Sequence, residues 1–167
     1  MKISLLIFAL VTLNHSELLN EWKTLESSAY SITYPDDWSL DESGIAGTKL
    51  MIFGPVIQGQ SFRNNLNLII QDLSGMGINL DKYVEISVGQ IKQYITGAEI
   101  HYSQTKNSRH EIIYSGKNGD LSLKWRQYYW VKDDKAYILT FTADAKSYEG
   151  QMKLVHQMMD SFTIKGK

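Results

Sequence analysis

The sequence predicts an α+β domain: a single antiparallel β-sheet flanked by two main helices, an α/β/α sandwich. Three observations carry that expectation. Apolar residues alternate with polar ones in three consecutive segments across residues 109–143, the period of half-buried strands. Two other stretches, residues 80–95 and 147–161, repeat their apolar residues at three and four positions, the period of a helix packed along one stripe. Turn-favouring Gly, Pro, Asn and Asp separate these stretches. The chain has 167 residues, the length of one domain.

Taken in order, Trp22 to Leu25 and Ala29 to Tyr34 read as two short strands. In the second, Tyr30, Ile32 and Tyr34 alternate with Ser31 and Thr33. Pro35-Asp36-Asp37 closes it, proline presetting the turn and the carboxylates supporting it. Trp38 then folds back over an edge of the core. Residues 48–56 form the next strand candidate, stopped by Gly54-Pro55. Leu66, Leu68 and Ile70 follow with a wholly apolar face, and Ser74-Gly75-Met76-Gly77 breaks the chain.

Leu80, Val84, Val88, Ile91 and Ile95 then share one helical stripe, while Lys82, Glu85, Gln90 and Lys92 face away. Asn79 or Asp81 is placed to cap the start, and Gly97 stands beyond the end. Three strands come next. His110, Ile112 and Tyr114 mark the first, and Asn118-Gly119 its hairpin turn. Leu121, Leu123, Trp125, Tyr129 and Val131 share one face of the second. An Asp133-Asp134 turn leads to the third, marked by Tyr137, Leu139 and Phe141. Tyr148, Met152, Val155, Met159 and Phe162 form the stripe of the last helix.

Residues 1–16 have the layout of a secretory signal peptide, leaving residues 17–167 as the domain. Met1-Lys2 precedes an uncharged apolar run over residues 3–13, and then Asn14-His15-Ser16-Glu17. A run of that length suits a signal h-region and is too short to span a bilayer, which takes about 20 residues. The expected location is therefore extracytoplasmic, periplasmic or secreted, with no integral span in the mature chain. The alternative is a cytoplasmic protein whose first helix is buried.

Composition narrows the function classes. Lysine and arginine number 17 against 18 acidic residues, a net charge of −1. That balance, with basic residues scattered singly, gives no reason to expect nucleic acid as a partner. The chain has no cysteine, which excludes disulfides, thiol nucleophiles and thiolate metal sites.

Tyr30-x-Ile32-x-Tyr34-Pro35-x-x-Trp38, Leu80-Asp81-x-Tyr83-Val84 and Met159-x-Ser161-Phe162 occur in that order over nearly the whole chain. With the element order, they resemble the PsbP-like family. The resemblance implies an antiparallel sheet flanked by helices and binding to another protein rather than chemistry. That family includes a lumenal photosystem II subunit, nuclear-transport cofactors and uncharacterised exported bacterial proteins. A related bacterial group resembles chaperones for apolar helices of secreted effectors. No site motif of the family falls on a residue of this chain.

The sequence offers no catalytic residue, metal site or cofactor motif. The histidines His15, His101, His110 and His156 lack zinc spacing. Strand pairing could bring His101 and His110 together near Glu111, but His110 has the parity of a core residue. Asp36-Asp37 and Asp133-Asp134 are explained by turns, and no G-x-S-x-G elbow or phosphate loop is present. The candidate binding residues are Arg126, Tyr128 and Trp130, together with Trp38. Alternation sends Lys124, Arg126, Tyr128 and Trp130 to the face opposite Trp125 and Tyr129. Arginine among aromatics is an interface composition, unless a helix covers that face and the aromatics are core. The expectation is a non-enzymatic, exported accessory protein that docks on a protein partner. Its alternatives are a chaperone or carrier with an apolar groove, and a hydrolase without a recognisable motif.

Overall fold

The computed structural model describes residues 21–166; the expected signal peptide, residues 1–16, lies outside the described residues. In chain order the elements are β1 (Trp22–Glu26), β2 (Tyr30–Pro35), β3 (Ser39–Asp41), β4 (Leu50–Phe53), β5 (Asn65–Asp72), α1 (Leu80–Tyr94) and β6 (Thr96–Lys106). They continue with β7 (Arg109–Asn118), β8 (Leu121–Lys132), β9 (Lys135–Asp144), α2 (Tyr148–Asp160) and β10 (Thr163–Ile164).

The alternating segments β7, β8 and β9 are neighbouring antiparallel strands, as their period requires. They lie within a seven-stranded sheet ordered β3-β4-β5-β9-β8-β7-β6. The expected single sheet is corrected to two, because β1, β2 and β10 form a separate three-stranded sheet. The break falls at the Pro35-Asp36-Asp37 turn, where the Trp38 N–H donates to the Pro35 carbonyl at 3.1 Å. Trp38 then buries its indole and Ser39 starts the larger sheet. Alternation shows which residues a strand buries, not which sheet the strand joins.

Each face of the large sheet carries its own apolar core. On one face α1 covers Ile112, Tyr114, Trp125, Tyr129 and Ile138. On the other, α2 and the small sheet cover Leu66, Leu68, Tyr128, Leu139 and Phe141. β9 is buried from Ala136 to Ala143 on both faces, so it reads as a nearly continuous apolar run.

The Asn79 side chain caps α1, accepting from the Lys82 N–H at 2.9 Å. Asp133 and Asp134 both take positive φ, 50° and 53°, the requirement of a type I′ hairpin. The other hairpin turn sits one residue later than expected. Asn118 pairs with Leu121 as the last rung, so Gly119 and Asp120 form the turn, with Gly119 at φ 59°.

β6 was not expected as a strand. It is the outer edge of the sheet, only Ala98 and Ile100 are half-buried, and its register breaks twice. An edge strand of polar residues with bulges carries no period-two signal.

Candidate functional site

The even-numbered residues of β8 point toward α2. The open aromatic face that alternation allowed is corrected: α2 lies across it, because its own stripe of Tyr148, Val155 and Met159 needs a partner. Tyr128 is 1% exposed and Trp38 is 3% exposed, so both belong to the core.

Arg126 is held in a polar cluster beneath α2. Its guanidinium pairs with Glu111 of the adjacent strand, the two side chains being 12% and 15% exposed. It also donates to Nε2 of His156 on α2, and it lies 3.9 Å from the Met152 sulfur. Among the described residues the buried Tyr148 hydroxyl and Arg126 Nε have no hydrogen-bond partner, and burial pushes the Tyr148 hydroxyl up to about 12.

Burial holds the His156 imidazole below its ordinary pKa, and the adjacent Arg126 cation adds to the effect. Burial shifts His110 in the same direction. The unfolded chain therefore takes up protons more readily than the folded one as pH falls through about 6.5, the unperturbed histidine value. This contribution to stability is full above that value and is lost on acidification toward the depressed folded pKa values. Thermal melts from roughly pH 7.5 to 5 should show a falling Tm, with a smaller slope in His156→Gln. A Tm that holds or rises over this window contradicts the assignment.

Trp130 has a different setting from its neighbours on β8. It is half-buried, 5.2 Å from the Phe162 ring and edge-on to Tyr128 at 5.8 Å. With Phe162, Lys106, Asn107 and Arg109 it lines an open cleft of about 330 Å³. The β6–β7 hairpin forms one wall through a tight turn at Asn107 and Ser108, φ 50° and 60°. The segment after α2 supplies Phe162 to the other.

The ladder register explains why these residues meet. Lys106 stands directly across from Arg109, and the next rung pairs His110 with Tyr129, so Arg109 lies beside Trp130. Arg109 is fixed by Asp160 at 3.0 Å and by stacking 3.9 Å above the Tyr128 ring. The Tyr128 hydroxyl donates to the same Asp160 oxygen at 3.2 Å. Among the described residues Lys106 has no carboxylate within salt-bridge distance.

Of the candidate binding residues, Trp130 alone lines this cleft; Arg126 and Tyr128 support it from behind, and Trp38 lies apart from it. Lys106, Asn107, Arg109 and Phe162 were missed as site residues. Only Phe162 had a sequence signal, its place in the last helical stripe.

A second polar cluster lies toward the other end of β6. His101 Nε2 is 2.7 Å from the Ser115 hydroxyl, and its Nδ1 is 3.9 Å from Glu99, beside a pocket of about 400 Å³. The residue types are those of a nucleophile, base and carboxylate. Glu99 is beyond hydrogen-bond reach and its side chain is 75% exposed, so among the described residues no carboxylate is hydrogen-bonded to the imidazole.

His101 and His110 do not converge. His110 is buried on the α1 side between the Ser103 and Thr105 hydroxyls at 3.1 and 2.8 Å, and Glu111 points to the opposite side. Among the described residues no three His, Asp or Glu side chains gather to hold a metal. None of the described helices is long and apolar enough to cross a membrane.

No protein-family model matches the sequence, and no curated protein sequence does. Solved structures do share the fold. LpqN of Mycobacterium tuberculosis, involved in cell envelope biogenesis, superimposes with a TM-score of 0.65 at 15% identity, over 87% of this chain and 91% of its own. PA94 of Pseudomonas aeruginosa, a protein of unknown function, gives 0.63 at 14% identity over 87% and 99%. Cyanobacterial PsbP from Synechocystis gives 0.63 at 13% identity, over 93% of this chain and 99% of its own. Identities this low speak for the fold alone, and the fold is PsbP-like.

Proposed function

We propose that this protein is a non-catalytic accessory protein that acts outside the cytoplasm by docking on a protein partner. The observation that carries the reading is the Trp130 cleft. There Lys106 and Arg109 oppose each other on neighbouring strands, an arrangement of like charges that weakens a sheet when nothing lies between them. A tryptophan and an arginine on a rigid sheet, next to a lysine with no carboxylate partner among the described residues, match the composition of interface hot spots. The signal-peptide layout of residues 1–16 supports the location, as does the fold shared with an envelope-biogenesis protein.

The test is recovery of a partner from the envelope fraction by the tagged full chain, with Lys106→Glu as the paired variant. Lys106 is exposed, so the variant should keep the wild-type Tm. A partner retained by the wild type and reduced about tenfold or more with Lys106→Glu is the expected result, a loss typical of a rim-to-hot-spot charge reversal. Equal recovery by both proteins, or turnover of a substrate by the purified chain, overturns the reading.

A further inference from the structure

We infer that the Trp130 cleft receives an acidic side chain and a neighbouring aromatic ring from an extended segment of the partner chain. This rests on the docking reading and names what docks. Two cations, Lys106 and Arg109, line the cleft. Asp160 pairs with Arg109, and among the described residues no carboxylate lies within salt-bridge distance of Lys106, so one positive charge is left over there. Asp160 engages Arg109 through Nη1, and the Arg109 side chain stays 34% exposed. A guanidinium has five N–H donors, so others remain for a second acceptor. Lys106 adds three donors on the same side of the sheet, because directly paired residues share a face.

One excess charge fits a singly charged carboxylate better than a phosphate, which brings a charge of about −1.5 to −2 near neutral pH. The other half of the cleft is aromatic. Trp130 and Phe162 are tilted at 42° with centroids 5.2 Å apart, and together they offer an edge and a face to an entering ring. At about 330 Å³ the cleft has the size of the smallest ligand pockets, room for one ring and one short acidic arm. Asn107 also lines the cleft, and its side-chain amide can pair with the backbone of an extended segment.

The test is titration of the full chain with short peptides acetylated and amidated at their ends, followed by nuclear magnetic resonance. The first peptide carries glutamate-phenylalanine between glycines. The second replaces the glutamate with glutamine, and the third replaces the phenylalanine with alanine. A fourth, acetyl-glycyl-phenylalanine with a free terminal carboxylate, separates a chain end from an internal acidic residue.

The glutamate-phenylalanine peptide should shift the Trp130 indole N–H and the backbone amides of Lys106 and Arg109. Its affinity should exceed that of the glutamine and alanine peptides by about tenfold, the worth of one charge-assisted hydrogen bond or one ring contact. Lys106→Glu should lose the charge preference while leaving shifts elsewhere unchanged, and Lys106→Gln should fall between. Equal binding of the glutamate and glutamine peptides overturns the inference, as do shifts that map away from the cleft or no binding at millimolar peptide. Tighter binding of the free terminal acid overturns the internal-segment assignment. If the peptides fail while Lys106→Glu still releases the partner, docking at the cleft stands and only this ligand chemistry falls.

Discussion

Glu111→Ala should cost about 3–5 kcal/mol of folding stability, the usual penalty for removing one member of a buried ion pair. The loss comes mainly from what is left behind. Arg126 would remain beneath α2 with neutral acceptors alone, His156 and the Met152 sulfur, and with its Nε lacking a partner among the described residues. The pair itself is a poor source of net stability, because desolvation of both ions offsets their attraction. Replacing Arg126 and Glu111 together, as Arg126→Met with Glu111→Leu, should therefore recover most of the loss. Urea unfolding of the two single variants and the double variant gives the comparison. A cost below about 1 kcal/mol in Glu111→Ala would mean that water reaches the cluster and screens it like a surface pair.

Gly116→Ala should cost about 1–3 kcal/mol, the range for overpacking a filled site. Gly116 lies on β7 where the start of β6 crosses close by. A methyl group there would press into Cγ2 of Ile95 and stand 3.1 Å from the Thr96 carbonyl oxygen. Ile95 is branched at Cβ and has little rotamer freedom with which to yield. Ile95→Leu keeps the volume and removes Cγ2, so the double variant should be more stable than the sum of the single effects predicts. A coupling of at least ~0.5 kcal/mol in a double-mutant cycle is the expected reading. Additive effects would place the strain at the Thr96 carbonyl instead.

These two sites illustrate what the amino-acid order exposes and what it hides. β7 and β8 were legible because one face of each is more fully covered than the other, so burial imprinted a period of two on their residues, while β9, buried on both faces, was legible as a short apolar run between turns. Both helices were legible because burial of one side imprinted an apolar stripe, and of the two caps the sequence offered, Asn79 and Asp81, the structure uses Asn79. β6 left no imprint because edge residues face water on most sides. The division into two sheets left none either, since alternation is the same whichever neighbour a strand takes.

The candidate site was legible in part. Trp130, Tyr128 and Arg126 were correctly assigned to one face of β8, but their composition suits an interface and a core equally. The covering of that face depends on α2, whose stripe predicts that it packs somewhere and not where. Lys106 and Arg109 meet through the β6–β7 hairpin, and its Asn107-Ser108 turn lacks the glycine that would have flagged it. The Arg126–Glu111 pair joins two strands diagonally, a relation no linear spacing encodes.

The small sheet has a further consequence for how the molecule assembles. It ties β2 to β10 through contacts such as Ser31 with Thr163, separated by 132 residues. The entropy of closing so long a loop must be met before those contacts form, so the β6–β9 meander, with its neighbours close in sequence, is favoured to organise first. Phe162 rests on Tyr30 from β2 at 5.9 Å. Phe162, the second ring of the Trp130 cleft, thus arrives with the late-closing segment, and a half-folded chain presents the two cations and Trp130 without the ring that completes the aromatic half.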